Sequence, residues 1–182
     1  MNQLVPLSLL LVASFAACGG AQPTNTPAAP TTPASPAVTK FVLAADPGEA
    51  LGVVDAKLAG PADKVIVEGR IANVVKGFAV FTLMDKALPY CGETNKEDKC
   101  STPWDYCCED PKTRTANSMV VEFHDAAGQP IATPSLPSLQ LVDAVKVTGK
   151  LTKDADGNFV LTATGVFRTE HPTLPDNVKL PN

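Results

Sequence analysis

No Lys or Arg occurs before Lys40, and the whole chain of 182 residues has two His, one Trp and two Tyr, with aromatics at 5%. Each scarcity excludes something. Net charge is −4 with scattered cations, so the basic stripe that phosphate backbones require is missing. So few aromatics cannot build a base-stacking platform. There is no G-x-S-x-G, no H-E-x-x-H and no P-loop, and two histidines leave almost no room for Ser-His-Asp or Cys-His catalysis. Carboxylates are plentiful but none is paired at a recognisable catalytic spacing. Beyond residues 4–17 no long apolar run exists, and that one is too short to span a bilayer.

That run, L-V-P-L-S-L-L-L-V-A-S-F-A-A, matches the apolar region of a secretory signal. It ends in Phe15-Ala16-Ala17-Cys18-Gly19-Gly20, where small residues flank a cysteine as in a bacterial lipobox. Two features depart from that pattern: Phe15 stands where Leu is usual, and the run has no preceding positive charge. The sequence predicts a signal peptide over residues 1–17, lipidation of Cys18, and a lipid-anchored, disordered tether rich in Pro and Thr over 18–39. Such a tether cannot bury enough apolar area to offset its ordering entropy. The alternative is simple secretion with a chance cysteine. Either way the remainder is exported to the periplasm or the cell surface, where disulfides persist.

Residues 40–170 suit one domain with one core, followed by an irregular tail, 171–182. Asp46-Pro47-Gly48-Glu49 has the signature of a capped helix start, and Ala50, Val53, Val54 and Leu58 recur at helical spacing up to Gly60-Pro61. Five strand patterns follow, over residues 64–73, 79–85, 118–124, 144–151 and 158–167, the last two joined by an Asp156-Gly157 turn. Residues 129–137 are broken by proline and read as irregular. No strand–helix alternation appears, so a parallel sheet is disfavoured. The expected fold is all-β: a five-stranded antiparallel barrel that resembles the OB-fold, with one short N-terminal helix and a long cysteine-rich loop. Gly69 and Gly149 are expected where strands coil sharply to close the barrel. The competing fold is a six-to-seven-strand sandwich.

The loop between the second and third strands reads Y-C-G-E-T-N-K-E-D-K-C-S-T-P-W-D-Y-C-C-E-D-P over residues 90–111. It holds Cys91, Cys100, Cys107 and Cys108, together with Trp104 and both tyrosines. With the lipobox and the tether, the string Pro103-Trp104-Asp105-Tyr106-Cys107-Cys108-Glu109 following Cys91 and Cys100 resembles a set of uncharacterised lipoproteins of planctomycete bacteria. That resemblance implies no activity. Three chemistries compete for the four sulfurs. Two structural disulfides are the leading one. A vicinal 107–108 bridge would strain its ring, which leaves 91–107 with 100–108, or 91–108 with 100–107; closing a loop of about 15 residues contributes ~3 kcal/mol. The second is a thiolate site for Zn or Cu, against which the lack of C-x2-C knuckles counts. His124 and His171 are its candidate nitrogen ligands. The third is a redox pair at Cys107-Cys108, disfavoured by the neighbouring carboxylates.

The expected function is a non-catalytic binding or interaction module at the cell envelope. It is held to the membrane by its lipid and needs no cofactor. Trp104, Asp105 and Tyr106 are the candidate contact surface for an envelope protein or small ligand. A metal-binding or redox protein is one alternative. A single-stranded nucleic-acid binder is another, which the charge distribution argues against.

Overall fold

In the computed structural model, residues 36–94, 100–133, 136, 138–173 and 180 are described. The signal segment, Cys18 and the tether as far as residue 35 lie outside them. A single turn of helix, α1 (Pro36–Thr39), opens the described chain and sinks Val38 into the core. The elements that follow are β1 (Leu51–Gly52), α2 (Val53–Ala59), β2 (Ala62–Val74), β3 (Val80–Met84), α3 (Cys91–Thr94), α4 (Pro111–Ala116), β4 (Ser118–Phe123), β5 (Ala144–Lys153) and β6 (Phe159–Glu170). Among the described residues no helix is long and apolar enough to cross a membrane.

The strands run β1-β2-β3-β4-β6-β5, and β2 also pairs with β5, which closes β2 to β6 into a five-stranded, OB-like barrel. A ring with an odd number of strands cannot alternate direction all the way round. One pair must be parallel, and it is β4–β6 (Val120 opposite Val160, Phe123 opposite Ala163). The other pairs, β2–β3, β3–β4, β5–β6 and β2–β5, are antiparallel, as expected for the OB-like barrel.

Long β2 serves two partners. Its first part, to Arg70, pairs with β5, and Arg70–Val74 pairs with β3. The crossing from one partner to the other is where side chains have no room. A Cβ on Gly69 would lie 2.6 Å from the carbonyl oxygen of Met84. A Cβ on Gly149 would drive into the carbonyl oxygen of Thr162, beside the β5–β6 bulge at Thr148/Gly149. The period-two alternation of the strands points Val67, Ile71, Phe81, Leu83, Val121, Phe123, Val145, Val147, Leu151 and Leu161 inward, all essentially inaccessible to solvent. Phe123 sits at the centre, edge-on to Phe41 at 5.1 Å and tilted against Phe81 at 6.1 Å.

The N-terminal helix begins later than its sequence signature implies. Gly48 has φ +105°, outside the helical range, and its N–H donates to Asp46 Oδ1 at 2.9 Å in a local turn. Asp46 is itself held by Lys146, 2.8 Å away on β5. Leu51 and Gly52 then add to the edge of β2 in parallel. The helix is therefore seven residues, Val53–Ala59, lacking a side-chain cap from its own Ncap residue. Instead Asp85, buried at the end of β3, accepts from the Val54 N–H at 2.9 Å across 31 residues. Val53 and Ala56 face the core, while Leu58 is exposed.

If barrel closure depends on the bare backbone at position 149, Gly149→Ala lowers stability by about 1–3 kcal/mol through overpacking. The denaturation midpoint measures this; an unchanged midpoint contradicts the close approach.

Candidate functional site

The described residues between β3 and β4 form an arm folded against the barrel, and two cations of the barrel side seat it. Arg70 leaves β2 and makes three kinds of contact. It donates to the Lys86 carbonyl at 3.0 Å, pairs with Glu93 Oε1 at 2.5 Å, and lies over the Tyr90 ring at 5.6 Å. At the far end Lys57 of α2 donates to the carbonyls of Thr115, Ala116 and Ser118 at 2.8, 3.0 and 2.9 Å. An ammonium there both satisfies orphan carbonyls and complements the helix terminus. Partial burial pulls the Lys57 pKa below its ordinary value.

Two elements of the arm have local causes that the spacing of cysteines concealed. Asp110-Pro111 starts α4: Asp110 Oδ1 accepts from the N–H groups of Lys112 (2.9 Å) and Thr113 (3.1 Å), and Pro111 occupies the first turn. The turn α3 is tied to the chain carrying Trp104 by Cys91 N–H to Asp105 O (2.8 Å) and Gly92 N–H to Pro103 O (2.6 Å). A side chain at Gly92 would collide with Pro103, so glycine lets the two segments touch.

Those contacts gather the sulfurs. Cys91, Cys100 and Cys107 have Sγ atoms all within 4.8 Å of one another. Cys91 lies 3.5 Å from Cys107 and also 3.5 Å from Cys108, and Cys100 lies 3.7 Å from Cys107. None of these separations is an S–S bond. Hydrogen bonds to the Cys91 and Cys100 sulfurs push the Cys107 thiol up to about 12. That is opposite to the depressed pKa of a redox nucleophile. Neither histidine joins the group. His124 Nε2 is 2.7 Å from Glu122 Oε2, and His171 Nδ1 is 2.7 Å from Asp143 Oδ1. Burial raises the Asp143 pKa.

Between the arm and the outer surface of β2 and β3 lies a cleft of about 460 Å³. Trp104, Asp105 and Tyr106 all contribute to its wall, facing Asn73 and Thr82 of the barrel, with Arg114 of α4 alongside. Trp104 is half-buried and packs on the core, whereas Tyr106 is only 2% exposed. The Tyr106 hydroxyl and Arg114 Nε are buried without a hydrogen-bond partner. Burial, with a smaller push from the Glu93 charge and against the pull of the Arg70 cation, raises Tyr106 to about 12. Asp105 Oδ1 accepts from the Tyr106 N–H at 2.6 Å, which fixes its carboxylate. Arg70, Lys57, Asn73 and Thr82 escaped the sequence reading, since each acts on residues remote in sequence.

The fold and the arm define a small OB-like barrel with a sulfur-rich arm walling a lateral cleft. No protein-family model matches the chain, and no curated protein matches it.

An unpartnered buried hydroxyl is a cost. Tyr106→Phe is therefore expected to leave stability unchanged or raise it by up to about 1 kcal/mol, while Tyr106→Ala costs about 3–5 kcal/mol as a cavity. Equal losses for both variants would show that the hydroxyl is bonded. Hydrogen bonds from the Thr113 hydroxyl and backbone hold the Asp110 carboxyl below its ordinary 3.8. A carboxyl depressed on folding contributes stability above pH 3.8 that is lost as pH falls through its folded value. Asp110→Asn, which keeps a capping side chain, should flatten the acid limb of a melting-temperature profile below about pH 4. An unaltered limb refutes the cap's role.

Proposed function

We propose that this chain is an exported, non-catalytic binding module, anchored to an envelope membrane by lipid on Cys18. In this reading the cleft between arm and barrel receives a small envelope ligand that carries an acidic group. The observation that carries the reading is the cleft itself. Its volume falls in the range of ligand sites, roughly 300–1,000 Å³, and its wall combines an aromatic face at Trp104 with the guanidinium of Arg114 and polar groups from two strands. A flat or apolar ligand portion would lie on Trp104, and a carboxylate would meet Arg114, whose planar fork suits it. The signal-like run, the small residues around Cys18 and the uncharged tether support the anchoring.

Trp104 is the only tryptophan, so its emission reports the cleft directly. Titration with small aromatic and aliphatic carboxylates is expected to give a saturable change. Arg114→Ala should weaken it at least tenfold, about 1.4 kcal/mol, the size of one charged hydrogen bond. In the same strain Cys18→Ser should move the protein from the membrane to the soluble fraction. A carboxylate response indifferent to Arg114, no response at all, or membrane retention of the Cys18 variant would each remove a part of the reading.

A further inference from the structure

Three of the arm's sulfurs, on Cys91, Cys100 and Cys107, lie in one mutual group, all within 4.8 Å of one another. Two disulfides give every sulfur one partner at about 2.05 Å. Here Cys91 is equidistant, at 3.5 Å, from Cys107 and Cys108, and Cys107 serves both Cys91 and Cys100. Separations of 3.5–3.7 Å lie close to the edge of a tetrahedron built with metal–sulfur bonds of about 2.3 Å, which is about 3.8 Å. One central atom explains mutual proximity of three thiols, whereas pairwise bonding does not. The scaffold is already set: Cys91 is buried in α3, whose backbone is pinned to the segment carrying Trp104, and Cys107 is exposed and opens a route from solvent. Thr102 Oγ1 lies 3.6 Å from Cys100 Sγ, where a hydroxyl can support a thiolate ligand.

We propose that Cys91, Cys100 and Cys107 bind one closed-shell thiophilic cation. Zn²⁺ would recruit Cys108 as a fourth ligand, and Cu⁺ would be held by three sulfurs alone. Thiolate ligation selects these soft or borderline ions over Mg²⁺ or Ca²⁺, whose ligands are oxygens. Each coordinating thiol gives its proton to solvent on binding, and no electron is transferred. Occupied, the site would staple the arm to itself and shield its sulfurs from oxidation outside the cytoplasm. None of these cysteines lines the cleft, so either site can fail while the other holds.

The test uses the full-length protein, solubilised from membranes under anaerobic conditions. Elemental analysis is expected to find close to one zinc or copper per chain. Zn²⁺, Cu⁺ and Co²⁺ are then titrated into chelator-stripped protein. Bound Co²⁺ should show thiolate-to-metal charge transfer together with tetrahedral d–d bands. Cys107→Ser, which alters an exposed side chain, should weaken uptake at least tenfold. Cys108→Ser separates the ions, reducing Zn²⁺ binding while sparing Cu⁺. Chelation should lower the melting temperature of the natural protein and leave that of the Cys107 variant unmoved. Protein lighter by two hydrogens for each of two bridges, free thiols that take up none of the ions, or uptake indifferent to Cys107 would each overturn the site.

Discussion

Arg70 is the hinge-post of the molecule. Its side chain is 12% exposed, and its fork holds the start of the arm through a carbonyl, a carboxylate and a tyrosine face at once. A lysine there could not make the same set of contacts, because only a planar guanidinium offers donors in several directions and a flat face to stack. Glu93 is partly exposed, so the pair itself contributes modestly. The larger effect is geometric. Through Glu93 it fixes α3, α3 sets Cys91, and the Cys91 and Gly92 amides draw in the chain that bears Trp104 and the remaining cysteines. With Lys57 holding the other end, a long excursion becomes a wall.

The barrel and the arm obey different kinds of constraint. Closing five strands demands a parallel pair by parity and bare glycines where the coiling strands meet, both consequences of topology. The arm has little apolar interior of its own. It is ordered by a few polar contacts, by its own buried Tyr106 and by whatever unites its sulfurs. That division explains why the cleft opens on the outside of β2 and β3: the barrel interior is filled by Phe81, Phe123 and their neighbours, which leaves the arm–barrel seam as the place where shape and polarity converge.

Legibility in the sequence followed the same division. The five strands of the barrel were readable because alternation in V-I-V-E-G-R-I or V-K-V-T-G-K-L is a local signal that the core enforces. The helix start at Asp46 was misread. Its capping box is real as a pattern, yet a turn at Gly48, the Lys146 pair and the β1–β2 bridge took those residues first. The cap at Asp110-Pro111 was present in the sequence but masked by its cysteine neighbours. The grouping of the four cysteines in one arm was plain from their clustering. Their mutual approach and the role of Arg70 were not, since an outward-facing residue on a strand looks like a solvated one until the arm is seen folded over it.

If Arg70 seats the described residues of the arm, their amides are held as firmly as those of the barrel. Amide hydrogen exchange at Cys91 and Gly92 tests this most directly, because their N–H groups donate to Asp105 and Pro103 within the arm. Protection comparable to that of β2 and β3, lost in Arg70→Ala while the barrel amides stay protected, is the predicted result. Exchange at the rate of an open loop in the unaltered protein would contradict it.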